Sequence, residues 1–409
     1  MPDPSRRLPT ERSLTALLAG LVALTPLSTD TLLPGLPRMA QAFGADVSRA
    51  QLIISGFLLG FAVAQLAYGP LSDRFGRRPV LLGGVGIYCV ASLASAAAPS
   101  IAWLIGARLL QGIGACAGAV VVRASVRDVH AGVRAARTLS FINSGMALAP
   151  ILAPFIGIGM LAWFDWRGIF AALAGISAVL LVASWGMLAE TNIHLDADAI
   201  RAGRLAGNYL VVLRHRAFMG YMLTLACATG GLFAFHSGAP FVLTGLFGLA
   251  PYQFGVAFAL VMVGHILGSM LSGRLAVRLG IDRVLLLGLA CSLLGGASMV
   301  ALAWRGPMHV AAVVGPMAVV MFGNGMVIPT SAAGAILPFP RMAGAASALL
   351  GFLQMTVGSL GGIAMGRLHD GRPLPMAALV GGFGAAALAA FWLVIWRGGA
   401  RHRPVGQED

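Results

Sequence analysis

The sequence predicts an all-α membrane protein of twelve transmembrane helices in two pseudo-symmetric bundles of six. Three observations carry this. Of 409 residues, 58% are hydrophobic and only 10% are charged, whereas soluble domains carry about 25% charged residues. A bilayer requires about 20 apolar residues per helix, and the chain has room for about twelve such runs. The third observation is an internal repeat at half the chain length.

Taken in order, the apolar runs and their breakers place spans at 14–34, 50–71, 80–98, 101–122, 138–162 and 167–188, then at 218–246, 251–272, 283–304, 308–333, 343–366 and 375–396. The start, "MPDPSRRLPTER" before an apolar run, mimics a secretory signal. The run exceeds the usual 7–15 residues of a signal core and lacks a convincing cleavage site, so it reads as the first span. Residues 1–188 form the first bundle, 189–217 a polar linker with Glu190, Asp196, Asp198, Arg201 and Arg204, and 218–409 the second bundle.

Charge sets orientation. The net charge is +14, yet all 28 basic residues are Arg, dispersed in short polar gaps. A nucleic-acid footprint clusters on one face, so that function class is excluded. With the N-terminus inside, 21 Arg fall on the cytoplasmic side, six lie opposite, and Arg108 alone lies within a span. The positive-inside rule therefore puts both termini in the cytoplasm. The four Cys (Cys89, Cys116, Cys227 and Cys291) lie inside apolar runs and read as small buried hydrophobes, with neither a disulfide framework nor a metal site.

The repeat aligns "GPLSDRFGRRPVLL" from Gly69 with "GRLAVRLGIDRVLLLG" from Gly273. Gly69, Leu71, Arg74, Gly76 and Val80 match Gly273, Leu275, Arg278, Gly280 and Val284 at a constant offset of 204. Parallel six-span repeats are an architecture of alternating-access transporters, with substrate held between the halves. A Walker motif needs Lys, which the chain lacks, so an ATP-driven pump would need a partner subunit. "GIGACAG" (112–118) faintly follows a dinucleotide fingerprint, but within a membrane span it reads as small-residue helix packing. No cofactor is expected.

Asp30 is the acidic residue well inside a span, roughly 6 Å from its outer end. An ionised Asp costs about 2.5–3.5 kcal/mol in hydrocarbon on insertion scales. Burial disfavours its charged form and a nearby cation favours it, so a carboxylate balanced between the two can load and release a proton. The plainer alternative is a carboxylate in a wet vestibule before Pro34. Arg108 lies at similar depth, roughly 10 Å from the outer end of its span. Arg does not realistically deprotonate, so it would tune Asp30 or another acceptor, or form a static buried pair.

The loop "GPLSDRFGRRPVLL" resembles the hallmark loop of the major facilitator superfamily. "STDTLLPGLP", "ARLLQGIGA", "VVVRASVRD", "APILAPFIG", "GLFAFHSGAPFVL", "GNGMVIPTSAAGAI" and "AGAASALLGF" resemble its Bcr/CflA-type (bicyclomycin/chloramphenicol resistance) branch of drug:proton antiporters. The resemblance implies proton-coupled efflux of drug-like or small metabolite molecules from a bacterial cytoplasmic membrane, by a monomer whose partners are substrate, protons and lipid. It implies that Asp30 and Arg108 couple protons. It implies a conformational latch of Gly69, Asp73, Arg74, Gly76, Arg77, Arg78 and Asp128, with Asp73 facing the start of the eleventh span near Gly344 and Arg77 pairing with Asp128; topology-setting charge is the alternative. Gly145, Pro150, Pro154 and Gly157 correspond to the kinked fifth-span antiporter motif, although Ala149 stands where Gly is usual.

Candidate cavity residues are Asn143, Phe233, Phe235, His236, Asn324, Thr330 and Gln354. An apolar cavity with few polar anchors suits lipophilic drug-sized molecules. His236 stands where an apolar residue is more usual in the branch. An importer on the same fold is the second reading. A polytopic enzyme or sensor is the third, and it would need a catalytic cluster at one membrane face.

Overall fold

The computed structural model describes residues 11–129, 132–305 and 309–397. In the first half these form α1 (Glu11–Asp30), α2 (Leu36–Ala42), α3 (Val47–Phe75), α4 (Arg77–Ala96), α5 (Ile101–Val129), α6 (Gly132–Trp163) and α7 (Trp166–Met187). The second half follows with α8 (Ala202–Arg214), α9 (Arg216–Ala239), α10 (Pro251–Leu279), α11 (Ile281–Trp304), α12 (Ala311–Ile336), α13 (Ala343–Leu368) and α14 (Leu374–Ala390). Among the described residues, eleven helical segments are long and apolar enough to cross a membrane, and α6 adds a shorter apolar stretch, Leu148–Trp163. With α6, the twelve predicted crossings are present. Val90, Val179, Val182 and Leu294 stand exposed on helix faces, as side chains that face lipid do.

The first crossing is longer than predicted and broken. It runs over Arg12–Ala42, with α1 ending at Asp30, a 3-10 turn at Leu33–Gly35 and α2 resuming at Leu36. Pro34 and Pro37 cause the interruption, because neither offers the N–H that a continuous helix needs. The seventh crossing likewise changes at Pro240, where α9 gives way to a π-helical segment, Pro240–Leu246.

Two bundles result. α1 packs on α5, α6 and α7, while α3 and α4 pack on α5; α9 packs on α12, α13 and α14, while α10 and α11 pack on α12. The repeat is legible in the backbone: α10 covers the range of α3 displaced by 204 at both ends. Gly76 (φ 99°) and Gly280 (φ 80°) turn the chain at matching positions, in a region that only glycine enters readily. The halves meet along α3–α13 and α6–α10. Inside α5, a Cβ on Gly112 would come 2.0 Å from the Phe57 carbonyl oxygen and one on Gly118 2.5 Å from that of Leu21. "GIGACAG" is therefore a close-packing surface. The four cysteines are free, with Cys116 buried and the others half-buried.

The linker is more structured than expected. It carries α8, whose Leu205, Tyr209, Val212 and Leu213 recur at helical spacing. α8 packs on α13, and the Tyr209 hydroxyl donates to the Leu66 carbonyl at 3.0 Å.

Candidate functional site

Asp30 closes α1 where the proline break begins and is only 3% exposed. Its Oδ1 accepts a hydrogen bond from Thr29 Oγ1 at 2.9 Å. The His236 Nε2, from α9 of the other half, lies 3.6 Å from the same oxygen. His236 Nδ1 sits 2.9 Å from the Leu232 carbonyl oxygen, one helical turn earlier. The rings of Phe233, Phe235 and Phe258 surround the imidazole, with centroids 5.4, 6.2 and 5.1 Å away. The first half thus contributes a carboxylate, and the second an imidazole in an aromatic box.

Arg108 is fully buried and takes acceptors other than Asp30. Nε donates to the Ile53 carbonyl (3.1 Å), Nη2 to the Ser28 carbonyl (3.1 Å), and Nη1 to Gln111 Oε1. The guanidinium lies over the Phe57 ring at 4.4 Å. Gln111 continues to Ser92 Oγ at 2.7 Å, and Ser28 meets the Tyr88 hydroxyl. Arg108 therefore ties α1, α3 and α5 together, two residues short of Asp30. Equal depth suggested a direct influence on Asp30, but the azimuth of α5 points the fork at carbonyls.

Further contacts hold the halves together at this end. Gln51 Nε2 donates to the Ser237 carbonyl (3.2 Å) and Ser359 Oγ to that of Ser55 (2.9 Å). The Phe155 and Tyr252 rings meet at 6.1 Å between α6 and α10.

At the opposite end, Arg77 bridges Asp73 (2.6 Å) and Asp128 (2.9 Å), the latter in the last turn of α5 as the resemblance implied. Arg77 also donates to Ser72 Oγ at 2.6 Å. Arg78 donates to the Trp185 carbonyl at 2.8 Å and lies over the Trp185 ring, while Arg74 lies over Phe75. A cavity of about 390 Å³ opens here, lined among others by Gly69, Asp73, Arg77, Arg123, Asp128, Tyr209 and Gly344. Asp73 and the start of α13 thus share one cavity, and the Asp73 carboxylate is held by Arg77.

The remaining candidates scatter. The Asn143 side chain lies outside the described residues. Phe235 is fully buried. Asn324 donates to the Ala228 carbonyl (3.3 Å) and Thr330 to that of Met326 (2.6 Å), whereas Gln354 donates to Thr229 Oγ1 (3.2 Å). Phe235, Asn324, Thr330 and Gln354 do not line the 390 Å³ cavity. Asn324 and Gln354 reach from α12 and α13 to α9, whereas the Thr330 bond lies within α12. Pro150 and Pro154 lie inside α6. A Cβ on Gly157 would come 2.1 Å from the Thr31 carbonyl oxygen, next to Asp30, whereas Gly145 has only Ala19 Cβ within reach, at 3.8 Å.

Sequence reasoning passed over three polar groups that tie elements together. Glu190 accepts from the backbone N–H of Arg77 (2.8 Å) and Arg78 (3.0 Å), capping α4. Gln111 was signalled by its i+3 spacing from Arg108. Asp282, in the first turn of α11, accepts from the Tyr221 hydroxyl.

Two helical bundles in a membrane, buried ionisable groups where they meet and a cavity open at one end define a transporter. Residues 18–362 match the model of the Major Facilitator Superfamily, and the chain belongs to that family. It is 33% identical to the uncharacterized MFS-type transporter YdgK of Bacillus subtilis, over 90% of this chain and 92% of that one. It is 31% identical to multidrug resistance protein D of Escherichia coli (84% and 85% covered) and 32% to a chloramphenicol resistance protein of Pseudomonas aeruginosa (84% and 82%). The fold matches that of the xylose transporter XylE from E. coli at TM-score 0.72 and 15% identity, covering 94% and 96%. It also matches a bacterial homolog of the human lysosomal transporter Spinster, in an inward-facing conformation, at TM-score 0.76 and 15% identity, covering 98% and 100%.

Proposed function

We propose that this chain exports drug-like or small metabolite molecules across the cytoplasmic membrane in exchange for protons, by alternating access. The carrying observation is Asp30: a carboxylate buried where the halves meet, with no guanidinium within ion-pair distance among the described residues. A charge in such a place is costly. Proton uptake and release then follow the opening of the site to water. The Arg bias supports a cytoplasmic 69–78 loop; on that reading the 390 Å³ cavity beside this loop opens inward and the contacts around Asp30 close the outward side. Relatives named for multidrug and chloramphenicol resistance support export of drug-like cargo.

The test is expression in drug-sensitive cells against a panel that includes chloramphenicol and bicyclomycin, alongside Asp30→Asn at equal membrane abundance. Resistance to at least one compound is expected with the wild-type chain and lost with Asp30→Asn. Resistance that persists unchanged in the variant removes the proton role of Asp30.

A further inference from the structure

We propose that Asp30 and His236 form a single proton-binding site split between the two halves, so that one proton fastens the outward side shut. This rests on the proton-coupled reading above and adds a second residue to it. The Leu232 carbonyl can only accept, so His236 Nδ1 is the donor in their 2.9 Å contact. In the neutral ring Nε2 then carries a lone pair, and it faces Asp30 Oδ1 at 3.6 Å. A carboxylate oxygen and a nitrogen lone pair cannot bond to each other. One proton between them converts the contact into a hydrogen bond, with the proton on either atom. Its loss leaves two acceptors opposed in a buried site, which favours separation.

Thr29 Oγ1 also donates to Asp30 Oδ1, while on α2 Arg38 donates to the Leu161 carbonyl and on α4 the Tyr88 hydroxyl meets Ser28. On α10, His265 is the titratable neighbour within electrostatic reach of His236. The charge of Arg108, on α5, is spent on carbonyls and Gln111. On α3, Asp46 caps the helix and Arg49 is exposed. The sequences of α12 and α14 contain no titratable residue, and α13 contains only Arg367, in its last turn. Beyond α13, His369 stands against Phe241. In α6, Arg134 lies toward the other end of the helix.

The only bond made or broken is the O–H or N–H bond to the proton, which is taken from water and returned to water. The proton enters from water when the outward side is open, is held as that side closes, and leaves to the inward side while the outward side is still shut; the two opposed acceptors then favour separation. Closure therefore weakens as pH rises through the proton affinity of the bridged pair.

The experiment replaces the four native cysteines by alanine and places Phe155→Cys and Tyr252→Cys across the outward contact. Cross-linking by a short bifunctional thiol reagent is followed from pH 5.5 to 9 in liposomes without drug. Yield should fall at least about fivefold as pH rises, the low end of a typical coupling between sites. It should become independent of pH in His236→Gln and in Asp30→Asn, and regain pH dependence in the exchanged pair Asp30→His with His236→Asp. His236→Asn takes the place of the Gln variant if the latter is not recovered as a monodisperse peak. A wild-type profile in the His236 variant with a flat one in Asp30→Asn overturns the shared site and leaves Asp30 as the lone proton carrier. An unchanged profile in both variants overturns the shared site and the proton role of Asp30 together. A flat profile in the parent protein overturns the proposal directly.

Discussion

Arg77 Nε lies 2.9 Å from Asp128 Oδ2, joining the first turn of α4 to the last turn of α5. The same guanidinium holds Asp73 at the end of α3. Three helix ends thus share one planar fork, which suits two carboxylates at once. Arg77→Lys keeps the charge but offers a single nitrogen. It should cost at most about 1.5–3 kcal/mol, the range for a hydrogen bond to a charged group, read as a lower thermal unfolding midpoint in detergent. Asp128→Asn should lower the midpoint less than Arg77→Ala does. An Arg77→Ala midpoint equal to wild type would mean that the loop charges only set topology.

Glu190 gives α4 its N-terminal cap. Its carboxylate accepts from the N–H groups of Arg77, Arg78, Thr191 and Asn192. Loss of a cap costs about 0.5–2 kcal/mol, so Glu190→Ala should destabilise by that amount and open the 189–201 segment to protease. Gly76→Ala should be at least as severe. The backbone there has φ 99°, and the added Cβ would stand 2.5 Å from a Glu190 oxygen. Limited proteolysis with mass detection checks both; an unaltered cleavage pattern in Glu190→Ala contradicts the cap.

How much of this was legible follows from what each signal contains. The spans and the repeat were readable because hydrophobic runs and a constant offset of 204 are local or periodic, whereas the Arg77–Asp128 pair, 51 residues apart in the chain, came only from the family resemblance. Asp30 stood out as a charge inside an apolar run, and Pro34 announced the break beside it. The Asp30–His236 contact was not readable, because it joins side chains from different halves and depends on helix azimuth, which depth does not give. The same missing azimuth explains why Arg108 turned to Ser28, Ile53 and Gln111. Glu190 escaped notice because backbone N–H groups are its partners, and these carry no side-chain pattern. The periodicity of α8 was present but hidden in a stretch read only for its charge.

Gly145 and Gly157 belong to one predicted motif, yet the structure separates them. Gly157→Ala drives a methyl group into the Thr31 carbonyl, at 2.1 Å, where backbone must give way. Overpacking of this kind costs about 1–3 kcal/mol and displaces the break that holds Asp30. Gly145→Ala meets only Ala19 Cβ, at 3.8 Å. Resistance in the drug-sensitive strain should therefore collapse for Gly157→Ala and persist for Gly145→Ala at matched membrane abundance. Equal loss in both would point to general helix flexibility instead of this single close approach.

Arg108 offers a way to separate architecture from proton chemistry. Its fork reaches acceptors on α1, α3 and α5 while the guanidinium stacks on Phe57. A Lys ammonium places its donors at one point and cannot span all three helices, so at least one buried acceptor loses its partner, at about 1–3 kcal/mol. Because Arg does not release its proton at working pH, that loss falls on packing around Ser28, not on a titration. Arg108→Lys should therefore lower the transport rate about 5-fold or more, as that energy converts, without moving the pH at which the rate is greatest. Gln111→Leu should produce a smaller fall, since the bonds to Ile53 and Ser28 survive while the link to Ser92 is lost. Rates of drug uptake into everted vesicles across pH 6 to 9 provide the readout. A displaced optimum in Arg108→Lys would move Arg108 from a scaffold role into the proton path itself.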